Sequence, residues 1–134
     1  MGFVSFDVND TLSVKKAILP AVHTTAQTGI SVDCAPATAG DRIKMVTFIV
    51  AVGAITDGTI DFTVEESTAS GSGFAAIPAG RVFGTLSPAL TSSTDETVLA
   101  ISVKVDKRYC RINTVETVAS AGYALGAVAV TQTY

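Results

Sequence analysis

The stretch Phe48–Ser67, FIVAVGAITDGTIDFTVEES, decides how this chain is read. Asp57, Asp61, Glu65 and Glu66 crowd into it, which raises two readings: an acidic catalytic or metal site, or a β-hairpin showing its solvent face. Asp57-Gly58 between two β-rich runs is a strong hairpin signal. A two-residue loop would pair Thr56 with Thr59 and put Phe48, Val50 and Val52 on the face of Asp61, Thr63 and Glu65. A three-residue loop, with Gly58 left-handed, pairs Ile55 with Thr59 and sets Val52 opposite Phe62 and Val50 opposite Val64. A slip of one residue flips every side chain, so burial selects the three-residue loop, with one apolar and one polar face. Asp61 and Glu65 then share the polar face with backbones about 13 Å apart. Glycosidase carboxylates stand roughly 5 to 9.5 Å apart, and metal-sharing ones approach closer still. Glu66 faces the other side. The stretch reads as solvated strand-face charge.

Composition agrees with a β reading. At 134 residues the chain fits one domain, and a chain of that length buries roughly two-thirds of its unfolded surface. Hydrophobic residues are 48% and charged residues 16%, which excludes a disordered chain. Leu, Glu, Lys and Arg are scarce and β-branched residues abundant, which speaks against a helical bundle. A formal charge of −3 supplies no field for gathering nucleic acid or anionic lipid. The opening MGFVSFDVND has no basic n-region, and Phe6 stands where myristoylation needs a hydroxyl residue. The apolar run Phe48–Ile55 is far short of the ~20 residues of a membrane span. These points predict a soluble chain made in a cytoplasm.

Cys34, Cys110 and His23 are too few and too scattered for a zinc site, and the thiols are expected to be buried and inert rather than disulfide-bonded. Neither TDGTID nor SSTDET fits a calcium loop. The glycines of ASGSGFAAIPAG meet no P-loop Lys-Ser/Thr. A nucleophilic Ser would have only His23 as base, and no G-x-S-x-G accompanies it. In KVDKRYCRI, the residues Lys104, Lys107, Arg108 and Arg111 form a basic cluster. It reads as a hairpin turn at Asp106-Lys107 with solvated charges; as a binding patch it would suit an acidic protein surface. Catalytic residues, metal ligands and cofactors are all expected to be absent.

From His23 onward the pattern is short strands between Gly, Pro, Ser and Asp clusters. The predicted strands are Ile30–Cys34, Lys44–Gly53, Thr59–Glu66, Gly73–Ile77, Thr97–Val105, Arg108–Val118 and Ala121–Val130. Leu99, Ile101, Val103 and Val105 alternate with Val98, Ala100, Ser102 and Lys104, while GYALGAVAV is apolar on both faces, as in a fully covered strand. Residues 1–20 lack clean alternation and stop at Pro20. They are expected to form an N-terminal arm, extended or as a short helix over Leu12–Leu19, ahead of a β-sandwich domain over 21–134.

Two segments carry a resemblance. GDRIKMVTFIVAVGAITDGTIDFTVEES (Gly40–Ser67) and VKVDKRYCRINTVETVASAGYALGAVAV (Val103–Val130) resemble a family of small virion proteins of tailed bacteriophages. The shared features are a T-D-G-T turn, an E-S strand end, a later K-R-Y-x-R strand and a small-residue final strand. TASGSG after Ser67 replaces the family's acidic-Gly turn, and Cys110 stands where Val is common. The resemblance implies a capsid decoration or cement protein, located in the virion and assembled in the bacterial host cytoplasm. It implies an all-β antiparallel sandwich of jelly-roll type, non-enzymatic, whose partner is the major capsid protein. Exposed sheet edges and an apolar arm add self-association, as dimer or trimer. Phe3, Phe6, Ile18, Leu19, Lys107 and Arg108 are the candidate capsid or oligomer contacts, with Phe74–Phe83 and Ser87–Glu96 as secondary loops. The alternatives are a head–tail connector or tail component and, more remotely, a carbohydrate-binding β-sandwich. The last would want exposed aromatics, and the chain has no Trp and only Tyr109, Tyr123 and Tyr134.

Overall fold

The computed structural model describes residues 12–34, 44–84, 86, 89–117 and 121–132. The strands are β1 (Leu12–His23), β2 (Val32–Asp33), β3 (Met45–Ile55), β4 (Thr59–Ser67), β5 (Ala75–Ala76), β6 (Val82–Phe83), β7 (Thr97–Lys104), β8 (Tyr109–Thr117) and β9 (Tyr123–Gln132). A 3-10 turn at Ala79–Arg81 precedes β6. Two antiparallel sheets result, in the orders β1-β9-β3-β7-β6 and β2-β8-β4-β5. With the two-residue β6 set aside, each sheet holds four strands and the chain crosses between sheets at every link except β4 to β5. That is the connectivity of a jelly roll, with its paired Greek keys.

The core is the seam between the sheets. Val46, Phe48, Val50 and Val52 on β3 are buried, as are Ile60, Phe62 and Val64 on β4. Ile101 and Val103 on β7, Ile112 on β8, and Tyr123, Leu125, Ala127 and Ala129 on β9 complete it. A register shift between Val52 and Ile55 in the β3–β9 ladder turns Ile55 inward in place of Ala54. The Tyr123 hydroxyl donates to the Thr25 carbonyl at 2.6 Å and shares a 2.9 Å hydrogen bond with Thr114, so this buried phenol ties both sheets together.

The expected hairpins are corrected. β3 pairs with β9 and β7, and β4 with β8 and β5, so the Asp57-Gly58 turn is an arch that carries the chain from one sheet to the other. Gly58 is left-handed, as expected, at φ 70°. Alternation dictates which side of each strand is buried, and a hairpin and an arch bury the same residues. Only the hydrogen-bond partners differ. Without a hairpin ladder, the backbone around the turn is satisfied from elsewhere: Ile55 N–H donates to the Asp95 carboxylate at 2.8 Å, Thr56 N–H to the Gly122 carbonyl at 3.0 Å. The Asp57 carboxylate accepts from the Ala121 N–H at 3.0 Å, pinning this arch to the β8–β9 connection. Asp106-Lys107 is likewise an arch, between β7 and β8, and not a hairpin turn.

The N-terminal expectation is corrected as well. Leu12–Leu19 is neither a helix nor a free arm; it belongs to β1, which runs through Pro20 to His23 and pairs with β9 of the same chain. Register shifts on both sides of Ile18 bury Ala17 and Ile18 consecutively, and this hides the strand from a period-two search. Pro20 is tolerated because β1 is an edge strand. Gly126 makes room for it: a Cβ there would meet the Pro20 Cβ at 2.8 Å. Phe3 and Phe6 lie outside the described residues.

Between β1 and β2 the backbone is laid against β8. Gln27 N–H donates to Thr114 Oγ1 at 2.8 Å, Thr114 N–H to the Gln27 carbonyl at 2.9 Å, and Gly29 N–H to Asn113 Oδ1 at 3.0 Å. A Cβ on Gly29 would collide with the Ile112 carbonyl oxygen. Gly29→Ala is therefore expected to cost about 1–3 kcal/mol in urea unfolding, the usual range for overpacking; an unchanged midpoint would mean that this segment does not dock so closely.

Candidate functional site: paired carboxylates and an uncovered sheet face

The acidic residues of β4 are separated by the pleat, and each is used differently. Glu65 lies opposite Arg111 in the β4–β8 register and accepts its Nε at 2.8 Å. The Arg111 guanidinium sits 3.9 Å from the centre of the Phe74 ring, a cation–π contact. Burial opposes ionisation of Glu65, but the Asn113 amide and Arg111 outweigh it and hold the carboxyl below its ordinary range. Asp61 stands on the same outward face, half-buried.

Glu66 departs from the expected solvated charge. It points inward, and its side chain is only 5% exposed. Arg81 clamps it with two hydrogen bonds, Nη2 to Oε1 at 2.6 Å and Nη1 to Oε2 at 3.1 Å. The Asp106 N–H adds a third at 3.0 Å. Arg81 Nη1 also reaches Asp106 Oδ2 at 3.0 Å and the Lys104 carbonyl at 3.1 Å. The cluster ties the turn before β6 to the β7–β8 arch. It supplies the carboxylate with three charge-assisted hydrogen bonds from within the protein. Burial pushes the Glu66 carboxyl up, while Arg81 and the Asp106 amide bring it below its usual range. Among the described residues, no three His, Cys, Asp or Glu side chains assemble in a way that could hold a metal ion.

The thiols of Cys34 and Cys110 are fully buried, with their sulfurs 3.9 Å apart beside the β2–β8 pairing. The neighbouring Cys34 and burial together push the Cys110 thiol far up, away from the reactive thiolate. His23 presents Nε2 to the Leu125 carbonyl at 3.1 Å, with its ring 5.5 Å from that of Tyr123.

The residues expected to make contacts are dispersed. Ile18 is 5% exposed and sits in the chain's own core, which removes it as a contact residue. Leu19 is 57% exposed on β1. Lys107 is half-buried in the β7–β8 arch. Arg108 spends its guanidinium on Asp33, through Nε to Oδ1 at 3.1 Å and Nη2 to Oδ2 at 3.0 Å. With Arg111 on Glu65 and Arg108 on Asp33, two of the four cations of the basic cluster are neutralised in place.

Sequence reasoning missed a larger feature. The outer face of the four-stranded sheet is mainly polar, with Asp61, Thr63, Glu65, Arg111 and Asn113 beside one exposed apolar residue, Val115. The outer face of the five-stranded sheet is not. Val14 is 63% exposed, Val98 67%, Phe83 54%, Met45 44%, Val128 38% and Ile49 37%. The signal was present in MVTFIVAVGAI and GYALGAVAV, which are apolar at nearly every position, odd and even alike. The last strand was expected to be fully covered. It is covered on one face only.

No protein-family model and no curated protein matches this chain. What the chain itself offers is carboxylates bound to arginines, two thiols buried in the core, and one apolar plane facing outward.

Two outcomes follow. The depressed carboxyls of Glu65 and Glu66 stabilise the fold above the ordinary Glu pKa of about 4.3, and that stabilisation is lost as pH falls through their lower folded values. Arg81→Met leaves a buried carboxylate unpaired and is expected to cost about 2–3 kcal/mol at pH 7. At a pH low enough to protonate Glu66 the cost shrinks, so equal losses in urea titrations at the two pH values would refute the ion-pair account. An aromatic disulfide reagent should label neither cysteine in the native protein and both in denaturant; rapid native labelling would contradict the buried pair.

Proposed function

We propose that this protein is a bacteriophage virion structural protein, a decoration or cement protein that binds the assembled major capsid lattice and stabilises it. The observation that carries the reading is the contrast between the outer faces: a stiff sandwich with one polar plane and one apolar plane is built to be part of an assembly. Soluble monomers rarely leave contiguous apolar patches beyond a few hundred Å² uncovered. The resemblance of Gly40–Ser67 and Val103–Val130 to small phage virion proteins supports the same reading.

The physical mechanism needs no reaction. A protein that binds the closed shell and not its free subunits shifts the equilibrium toward the shell by mass action. Many copies on a symmetric lattice add weak contacts into a strong restraint. Leu19 and Lys107 remain candidate contacts in this role, and Arg108 contributes to the extent that it releases Asp33.

Purified protein mixed with empty capsids should bind stoichiometrically and decorate the shell in electron micrographs. Capsid-bound copies should number in the hundreds per particle by gel densitometry. Bare shells, with protein assembled only into rings at a portal vertex, would replace this reading with a connector.

A further inference from the structure

The apolar plane of the five-stranded sheet has a pattern of its own. Across β9, β3 and β7, one row of outward residues is Val128–Ile49–Ala100 and the next is Gly126–Ala51–Val98. A third row runs from Val14 on β1 through Val130, Thr47 and Ser102 to Phe83 on β6. β3 is the central strand of the five. Rotation by 180° about an axis parallel to β3 lays the sheet face to face on a copy of itself, with β9 over β7 and β1 over β6. Each row then meets its own reverse. Val128 lies over the partner's Ala100, Val98 over the partner's Gly126, and Phe83 over the partner's Val14. Val98 over Gly126 and Val128 over Ala100 set large side chains on small ones, Ile49 meets its own copy on the axis, and the apolar side chains of the two flanks cover each other.

Polarity is compatible with a dry seam. Thr47 and Ser102, the hydroxyls of the third row, are hydrogen-bonded to each other at 2.8 Å and need no water. Lys16 stands on the edge strand and Lys104 at the end of β7, about 13 Å apart along the strand direction. Neither meets its own copy across the axis, and both stems can run outward to water. Strand spacing and rise give a plane about 24 Å wide and about 25 Å long, of order 600 Å² in flat projection. Stable interfaces bury about 800 Å² of corrugated accessible surface per partner, so this face supplies most of one side.

We propose that the outer face of the five-stranded sheet is the interface of a two-fold homodimer, two aligned sheets packing across it as in a sandwich. The inference rests on the fold and stands apart from the capsid reading.

The test uses the full chain without capsids. Sedimentation velocity over a wide concentration range should show a dimer, and Val98→Lys should weaken it at least a hundredfold while cooperative unfolding and the β circular-dichroism signal are retained. As a second readout, Ala51→Cys lies next to its own copy on the axis, so a short bismaleimide should join two chains of that variant. Asp61→Cys, on the opposite sheet, should stay single. A wild-type monomer at all concentrations overturns the dimer, as does a dimer that survives Val98→Lys or cross-links through Asp61→Cys. A monomer that dimerises only after removal of residues 1–11 also overturns it, and assigns the face to that segment. A monomer that still decorates capsids leaves the functional reading intact and gives the face to the shell subunit.

Discussion

The burial of one side of every long strand against the opposite sheet is the constraint on which the rest of this structure depends. β3 and β4 follow each other in the chain, yet their apolar sides face each other across the core instead of lying side by side. Consecutive strands must therefore be joined by arches. An arch leaves backbone groups without a ladder, and the protein answers with long-range bonds: Asp95 and Gly122 serve the first arch, and Glu66 serves the second. The polar residues that looked like candidate chemistry are, for the most part, the fittings of these turns.

Glu66 illustrates how the same side chain can mislead and inform. A buried carboxylate is a common sign of a catalytic acid. Here three donors surround it, and its affinity for a proton is lowered, not raised. A general acid at neutral pH needs the reverse. A buried ion pair is weak support for stability in itself, but removing one partner is costly. The arrangement accordingly acts as a lock between the β6 turn and the β7–β8 arch.

Much of the fold was legible because alternation survives in β3, β4, β7 and β8. Phe48, Val50 and Val52, and Ile60, Phe62 and Val64, were placed on their buried sides from period alone, and Gly58 in its left-handed turn. What period does not encode is which strand lies alongside, so the expected hairpins at Asp57 and Asp106 became arches. β1 was illegible for a different reason: two bulges and Pro20 break its alternation, and pairing with β9, distant in sequence, supplies the stability that local pattern does not show. Glu66 was correctly placed opposite Glu65, but its partner Arg81 lies beyond a Gly-rich loop that carries no periodic signal. The exposed apolar face of the five-stranded sheet was legible too, in the doubly apolar sequences of β3 and β9.

The rims of the two sheets carry a further meaning. Three of the four edge strands, β2, β5 and β6, are two residues long, and the fourth is kinked by bulges and a proline. Open ladders of that kind give little purchase for strand-by-strand addition. A polypeptide so rich in Val, Ala and Thr would otherwise be at risk of templated fibre growth. By blunting its own borders, the molecule offers a growing fibre no straight edge to extend.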